Sequence, residues 1–456
     1  MSDQHGQAYT QMEHPGIDTP NLMELAGEGL SFDRCYCSAP LCVPSRMSFL
    51  SGKLPAGLGI FDNDSTLPSD MPTIAHALGE RGYRTVLIGR MHFKGDDQRH
   101  GFDERLVGDI TSQFWGTGGA QRTDFGAYIR TTNRKHCLDA VGGGCSPVMA
   151  YDEAVFEAAM EYLSRKHDEP LFLIVGFYGP HFPFACDPEL YRKYQTRFPV
   201  EEASGGRCED VYDDYRQDCS PEKRRDCKAA YCGLVETIDG YVGQLRRLFS
   251  KNRKDYVFLY TSDHGEQLGK RSLFGKQTLY EDAVRVPLMI EGTGIPHGRC
   301  RSQVSLLDVS RTILAMAGAD AAASWHQGTP IDLAAPEAKR PPVVIQQLLE
   351  HEGELMTGEA VISMPYKAVR YGGGAVSVYD LLQDPDETED ISSRDPGVLR
   401  ELEPYLMSRD QITKCIEHEL TLTQQHEILK AWGKKKRPRE WATVTNPPRA
   451  RQKPVE

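Results

Sequence analysis

Three short apolar-rich runs limit what this chain can fold into: Tyr83–Gly89, Leu171–Phe177 and Tyr256–Thr261. Runs of this length and composition suit strands buried on both faces of an α/β sheet. Each ends in reactive side chains. Arg90-Met91-His92-Phe93 follows the first, Pro180-His181-Phe182-Pro183 the second, and Ser262-Asp263-His264-Gly265-Glu266 the third. Catalytic groups commonly sit where the strands of an α/β sheet run out into loops. Helical patterns over 19–26, 71–81, 150–165, 229–249 and 305–317 supply the covering layers. Thr19 is the expected cap of the first helix.

A fourth stretch, Ser38-Ala39-Pro40-Leu41-Cys42-Val43-Pro44-Ser45-Arg46-Met47-Ser48-Phe49-Leu50-Ser51-Gly52, reads as a turn entering a helix. Pro44 suits the first turn and Gly52 the stop. Cys42 is thereby placed just before a helix N-terminus, where free N–H groups and the dipole favour an anion. Arg46, one turn on, brings a guanidinium to the same place. Two acidic pairs, Asp3-Gln4 and Asp263-His264, can hold one divalent ion if their strands lie side by side. Oxygen donors with one imidazole suit a hard cation such as calcium, with magnesium or manganese as alternatives. Arg46, Arg90 and Lys276 offer positive charge; His92, His181 and Lys276 offer transferable protons.

Taken together and in this order, these motifs resemble the type I (formylglycine-dependent) sulfatases of the alkaline phosphatase superfamily. The resemblance runs from Asp3 to about Glu389. Phe61-Asp62-Asn63, Met91-His92-Phe93 and His100-Gly101-Phe102 look closest to the choline-sulfatase and phosphonate-monoester-hydrolase branch. It implies that a maturation enzyme oxidises Cys42 to formylglycine. It implies a metal held by Asp3, Gln4, Asp263, His264 and residue 42. Asp263 would help deprotonate one hydroxyl of the hydrated aldehyde, which attacks sulfur. His181 and Lys276 would protonate the departing oxygen, and His92 would take the proton of the second hydroxyl. Arg90 stands where the family has a lysine, and Asp62, Asn63, His100 and Asp103 are expected to line the pocket. The family also has an apolar strand ahead of Asp3, whereas this sequence begins at the end of such a strand; a truncated start or a misplaced start codon is the expected explanation, a sheet without that inner strand being the lesser alternative.

The resemblance implies an alkaline-phosphatase-like α/β fold, a mixed sheet sandwiched by helices. The expected division is 1–335 for the catalytic α/β domain, 336–410 for a smaller α+β subdomain and 411–456 for a helix and basic tail. Short strands are expected at 343–348, 366–371 and 375–380, and a helix near 398–407. Residues 108–150 read as a surface insertion and 185–227 as variable decoration. A net charge of −12 argues against a nucleic-acid partner. No apolar run reaches membrane-spanning length. Twelve scattered cysteines and no leader sequence point to a cytoplasmic protein with free thiols, a disulfide within 208–232 being the lesser alternative. The expected activity is hydrolysis of a sulfuric ester, on a sulfated carbohydrate or other sulfated small molecule. A phosphonate or phosphodiester hydrolase, or a non-catalytic binder of sulfated glycans, is the alternative. The oligomeric state is open.

Overall fold

The computed structural model describes residues 1–116, 133–204, 206, 208–319 and 324–438. In chain order the first strands are β1 (Leu30–Tyr36), β2 (Arg84–Gly89), β3 (Glu104–Leu106), β4 (Val141–Gly143), β5 (Leu171–Gly176), β6 (Phe184–Cys186) and β7 (Val257–Thr261). They continue with β8 (Arg285–Gly292), β9 (Gly298–Cys300), β10 (Val304–Ser305), β11 (Val343–His351), β12 (Glu354–Ser363), β13 (Tyr366–Tyr371) and β14 (Val376–Asp380). The helices are α1 (Pro20–Glu28), α2 (Cys42–Ser51), α3 (Pro55–Leu58), α4 (Ile74–Glu80), α5 (Pro147–Ser164) and α6 (Pro188–Arg197). They end with α7 (Pro221–Asn252), α8 (Glu281–Val284), α9 (Leu306–Met316), α10 (Pro396–Leu402) and α11 (Arg409–Lys436).

This is the expected α/β architecture, with a mixed sheet between helices. The three apolar runs became β2, β5 and β7. One sheet runs β10-β1-β8-β7 with β9 beside β1, and its β1–β8 and β7–β8 pairs are antiparallel. A second, parallel sheet runs β3-β2-β5. One core packs β1, β8, α2, α4 and α9; another packs β2 and β5 against α1, α5 and α7.

Helix starts follow capping chemistry more than periodicity. α4 begins only at Ile74, because Thr73 and His76 form a reciprocal cap that leaves Met71 and Pro72 outside. Ser146 and Ser220 start α5 and α7 earlier than expected, each with proline in the first turn. Thr19 does precede α1, but its hydroxyl accepts from Gln11 N–H. Asp239 of α7 caps α1 instead, accepting from Asn21 N and Leu22 N at 3.2 and 2.8 Å.

Beyond residue 342 lies an antiparallel sheet, β11-β12-β13-β14. Its β12 was not expected, since Gly358 and Glu359 break the apolar pattern. Glu359 is buried because it is paired, with Arg370 at 2.7 Å and Met407 N at 2.6 Å. The expected basic tail is partly helical: Lys434, Lys435 and Lys436 form the last turn of α11, where cations complement the dipole. Of the expected insertion, 117–132 lie outside the described residues, as does 439–456 of the tail. All twelve cysteines are free, so no disulfide forms within 208–232. No helix among the described residues is long and apolar enough to cross a membrane.

Candidate active site

The four motifs meet at one end of the two sheets. Cys42 is the first residue of α2, one step further in than expected, after an extended Leu41; Gly52 closes the helix at φ 69°. All ten residues of α2 are buried. Val43 N–H, one of the unpaired donors of that end, is met by Asn63 Oδ1 at 3.0 Å. Asn63 therefore caps the cysteine helix.

Asp3 and Asp263 approach Cys42 from the N-terminal segment and the end of β7. Their carboxylates are bridged by Arg46, whose Nε lies 2.8 Å from Asp263 Oδ2 and whose Nη2 lies 3.2 Å from Asp3 Oδ2. All three side chains are fully buried. Arg90 Nε also binds Asp3. Burial raises the Asp3 carboxyl, but Arg90, with His181, Arg46 and Lys276, outweighs it and holds the group well below the usual carboxylate range. His264 Nδ1 donates to Gly265 O at 3.0 Å, which leaves Nε2 as a lone pair facing Cys42 Sγ at 3.2 Å and Asp3 Oδ1 at 3.7 Å. Burial lowers its pKa and keeps the ring neutral.

One ligand atom each from Asp3, Cys42, Asp263 and His264 lies within 4.8 Å of the other three. Two carboxylates and a neutral imidazole whose far nitrogen is tied to a carbonyl make a donor set that fits a hard divalent cation. Gln4 is used differently. Its Oε1 accepts from Lys276 and its Nε2 donates to Glu266, so its oxygen orients the lysine and keeps a second lone pair for a cation. Glu266 is the anchor of this corner, accepting from Leu268 N and Gly275 N at 2.7 and 2.6 Å.

Lys276 Nζ lies 2.6 Å from His181 Nε2, and His181 Nδ1 donates to Phe182 O at 2.8 Å. Burial and the neighbouring ammonium push the His181 pKa well down, so it accepts from Lys276 as a neutral ring. On the opposite strand, Arg90 Nη2 lies 3.0 Å from His92 Nδ1. A guanidinium can only donate, so Nδ1 accepts and the proton of His92 sits on Nε2. Burial and Arg90 lower the His92 pKa well below the ordinary value. The expected task of taking a proton is therefore blocked in this arrangement until Arg90 releases Nδ1. Cys42 is likewise quiet: burial first, then Asp3, push its thiol up to about 11, so at neutral pH it is not a thiolate nucleophile.

One expected pocket residue lies elsewhere. Asp103 is exposed and accepts from Thr85 N at 3.0 Å. Thr85 is the second residue of β2, five residues before Arg90, or about 16 Å at strand spacing, so Asp103 marks the far end of the sheet. His100 is buried against Phe93, with ring centroids 4.5 Å apart, and beside Asp97. Asp62 bonds Ser65 Oγ at 2.6 Å and Asp64 N at 3.1 Å, holding the loop that presents Asn63. Sequence reasoning missed Asp109, Asp152 and Tyr178. Asp109 accepts from His92 N at 2.8 Å, Asp152 accepts from Tyr178 N and Gly179 N at 2.6 and 2.7 Å, and Arg90 lies 4.4 Å over the Tyr178 ring. Asp109 and Asp152 adjoin no motif, so no local signal marks them, whereas Tyr178 stands two residues ahead of Pro180-His181.

The sequence model of the Sulfatase family matches residues 1–319. The chain belongs to the sulfatase family. It is 34% identical over 333 residues to the choline-sulfatase of Rhizobium meliloti (strain 1021), a match covering 66% of this chain and 63% of that enzyme. Among solved structures it resembles BT4656 in complex with its substrate D-glucosamine-2-N,6-O-disulfate, with TM-score 0.69, 19% identity and coverage of 91% and 97% of the two chains. It also resembles the phosphonate monoester hydrolase of Agrobacterium radiobacter, with TM-score 0.68, 18% identity and coverage of 93% and 94%.

Proposed function

We propose that this chain hydrolyses sulfuric esters and releases inorganic sulfate. The observation that carries the reading is the seat of Cys42. It opens a buried helix, faces the lone pair of His264, and lies in one cluster with Asp3 and Asp263. A divalent ion held there by Asp3, Asp263, His264 and residue 42 supplies positive charge for the nucleophile and the sulfuryl oxygens. Calcium is the proposed ion. Conversion of Cys42 to formylglycine by a maturation enzyme supplies an oxygen nucleophile that the protonated thiol cannot.

The chain's own groups do the rest. The N-terminus of α2 receives the anion, while Arg46, whose donors are taken by Asp263, Asp3, Ser2 O and Arg90 O, holds the two carboxylates in place. Lys276, aimed by Gln4 and His181, stands ready to give a proton to the departing oxygen. His92 presents Nε2–H as a further donor to a sulfuryl oxygen. Arg90 keeps Asp3 ionised and His92 in that tautomer. Because a protein of the same fold was solved with D-glucosamine-2-N,6-O-disulfate, a sulfated carbohydrate is the substrate class we propose.

The test is peptide mass spectrometry across Cys42 after co-expression with a maturation enzyme, followed by assay of sulfated sugars, an aryl sulfate, a phosphate diester and a phosphonate monoester. Formylglycine at 42 with sulfate release from a sugar is the expected result. Faster cleavage of the phosphonate would move the chain to the hydrolases of that ester. An unconverted cysteine with tight binding and no release would make it a glycan binder.

A further inference from the structure

β2 does not run straight into the site. It leaves the sheet through Gly89, at φ 87°, and two residues after Arg90 the chain turns again at His92, at φ 65°. Glycine adopts such a φ freely, whereas in a residue with a Cβ the side chain crowds the following carbonyl. Strain of this kind persists only where the surroundings over-determine it, and it collects at functional positions. What holds His92 is Asp109. Its Oδ2 accepts from His92 N at 2.8 Å and from Met91 N at 3.4 Å, so one carboxylate takes two successive N–H groups of the turn.

Asp109 is fixed in turn. Arg105 Nη2 lies 2.5 Å from the same oxygen, and Arg105 Nη1 donates to Gln98 O at 3.1 Å and to Gln98 Oε1. The Arg105 guanidinium also lies 5.3 Å from the centroid of the Phe93 ring. The other oxygen, Asp109 Oδ1, faces Arg90 Nη1 at 3.6 Å and has no hydrogen-bond partner, while Thr111 Oγ1 accepts from that Nη1 at 3.3 Å. The loop 109–111 thus holds His92 at both ends: its backbone N–H directly, and its ring through Arg90, whose Nη2 lies 3.0 Å from Nδ1. Asp109, Arg105, Arg90 and His92 are all buried, so bulk water does not compete for these donors.

We propose that Asp109 is a positioning residue for His92, holding the left-handed turn and the ring that present Nε2–H to the sulfuryl oxygen. This rests on His92 being a donor to the bound sulfuric ester, the reading proposed for the site. Without the carboxylate, Met91 N–H and His92 N–H lose their acceptor, and the turn relaxes toward a negative φ. The ring built on that turn then leaves Arg90 Nη2, and both tautomers become available to it. Asparagine keeps one acceptor oxygen for the two N–H groups but turns a neutral amide toward Arg90. It therefore preserves the turn and weakens the hold on the guanidinium.

The test is a cycle of Asp109→Ala, His92→Ala and the double variant in the full chain, with kcat and KM read on a sulfated sugar per molecule carrying formylglycine. Asp109→Ala is expected to lower kcat about 10²-fold with KM little changed, and to cost nothing further in the His92→Ala background. Asp109→Asn is expected to lose only about tenfold, again with no further loss in that background, and it carries the cycle if Asp109→Ala does not fold. Losses that multiply in the double variant overturn the proposal, as does full kcat without the carboxylate. A second readout needs no turnover. In protein made with isotope-labelled histidine, the ring-nitrogen signals of His92, identified by their loss in His92→Ala, report its tautomer by NMR. The unaltered chain is expected to show Nε2–H alone, and Asp109→Ala an average of the two tautomers. An averaged ring in the unaltered chain, or a ring that Asp109→Ala leaves unchanged, overturns the proposal. If the chain releases no sulfate, the esterase reading fails by itself, and the ring signals still decide for or against Asp109.

Discussion

At the scale of single residues, the site is a problem in buried charge. Arg46 has no role in building the core beyond filling space, yet it bridges two fully buried carboxylates. Breaking a buried pair by removing one partner leaves charge uncompensated, at about 3–5 kcal/mol. Arg46→Met is therefore expected to lower the unfolding free energy of the metal-free chain by that order in urea titration. Lys276 touches both Gln4 and His181. If it serves the leaving oxygen, Lys276→Ala should lower kcat by about 10²–10⁴-fold on a sulfated sugar, and much less on an aryl sulfate whose phenolate leaves unaided. Equal losses on both would assign the lysine to binding. The sequence made Arg46, His181 and Lys276 visible because each stands in a motif. It hid Gln4's true partners, since Glu266 is 262 residues away.

At the scale of elements, α11 matters more than its sequence suggests. Its Trp432 packs on Phe114, and its Glu419 lies beside Asp62 and Asp64 of the loop that carries Asn63. Trp115 stacks on His426 with centroids 5.7 Å apart, and Lys430 lies 3.6 Å from Asp64. Burial first, then Asp62 and Asp64, raise the Glu419 pKa to about 7. One buried oxygen of Glu419 has no other partner, so a proton between the two carboxyls supplies the missing donor. The folded value lies above the unfolded one of about 4.3. Stability from this contact is thus full below the unfolded pKa and is lost as pH rises through about 7. The thermal midpoint should fall between about pH 4.5 and 7 and level off above, and Glu419→Gln should flatten that fall in calorimetry. An identical profile for both proteins would remove α11 from the account. Charge counting along the helix does not reveal this pair, because Asp62 arrives from the other end of the chain.

At the scale of the whole molecule, the cluster of Asp3, Cys42, Asp263 and His264 ties the N-terminal segment, α2 and the end of β7 together. An ion that binds only the folded chain stabilises it by about 2.7 kcal/mol at a hundredfold excess over its Kd. Adding Ca²⁺ to chelated protein should raise the thermal midpoint, and Asp263→Asn should abolish the rise. Magnesium and manganese run alongside identify the ion by the concentration each requires. A midpoint indifferent to all three would show that the cluster holds no metal.

Local pattern was enough to determine β2, β5 and β7, the start of α2 and the reactive residues at strand ends, because a buried strand and a capped helix are written in neighbouring residues. It also sufficed for the family. Only the tertiary structure decided that Asn63 caps the cysteine helix, that Asp103 stands at the far end of the sheet, that Glu359 makes an interior strand of β12, and that Arg90 sets the tautomer of His92. Each depends on a partner distant in sequence, and the worth of a buried polar group is fixed by the atom it finds, which periodicity and composition do not record.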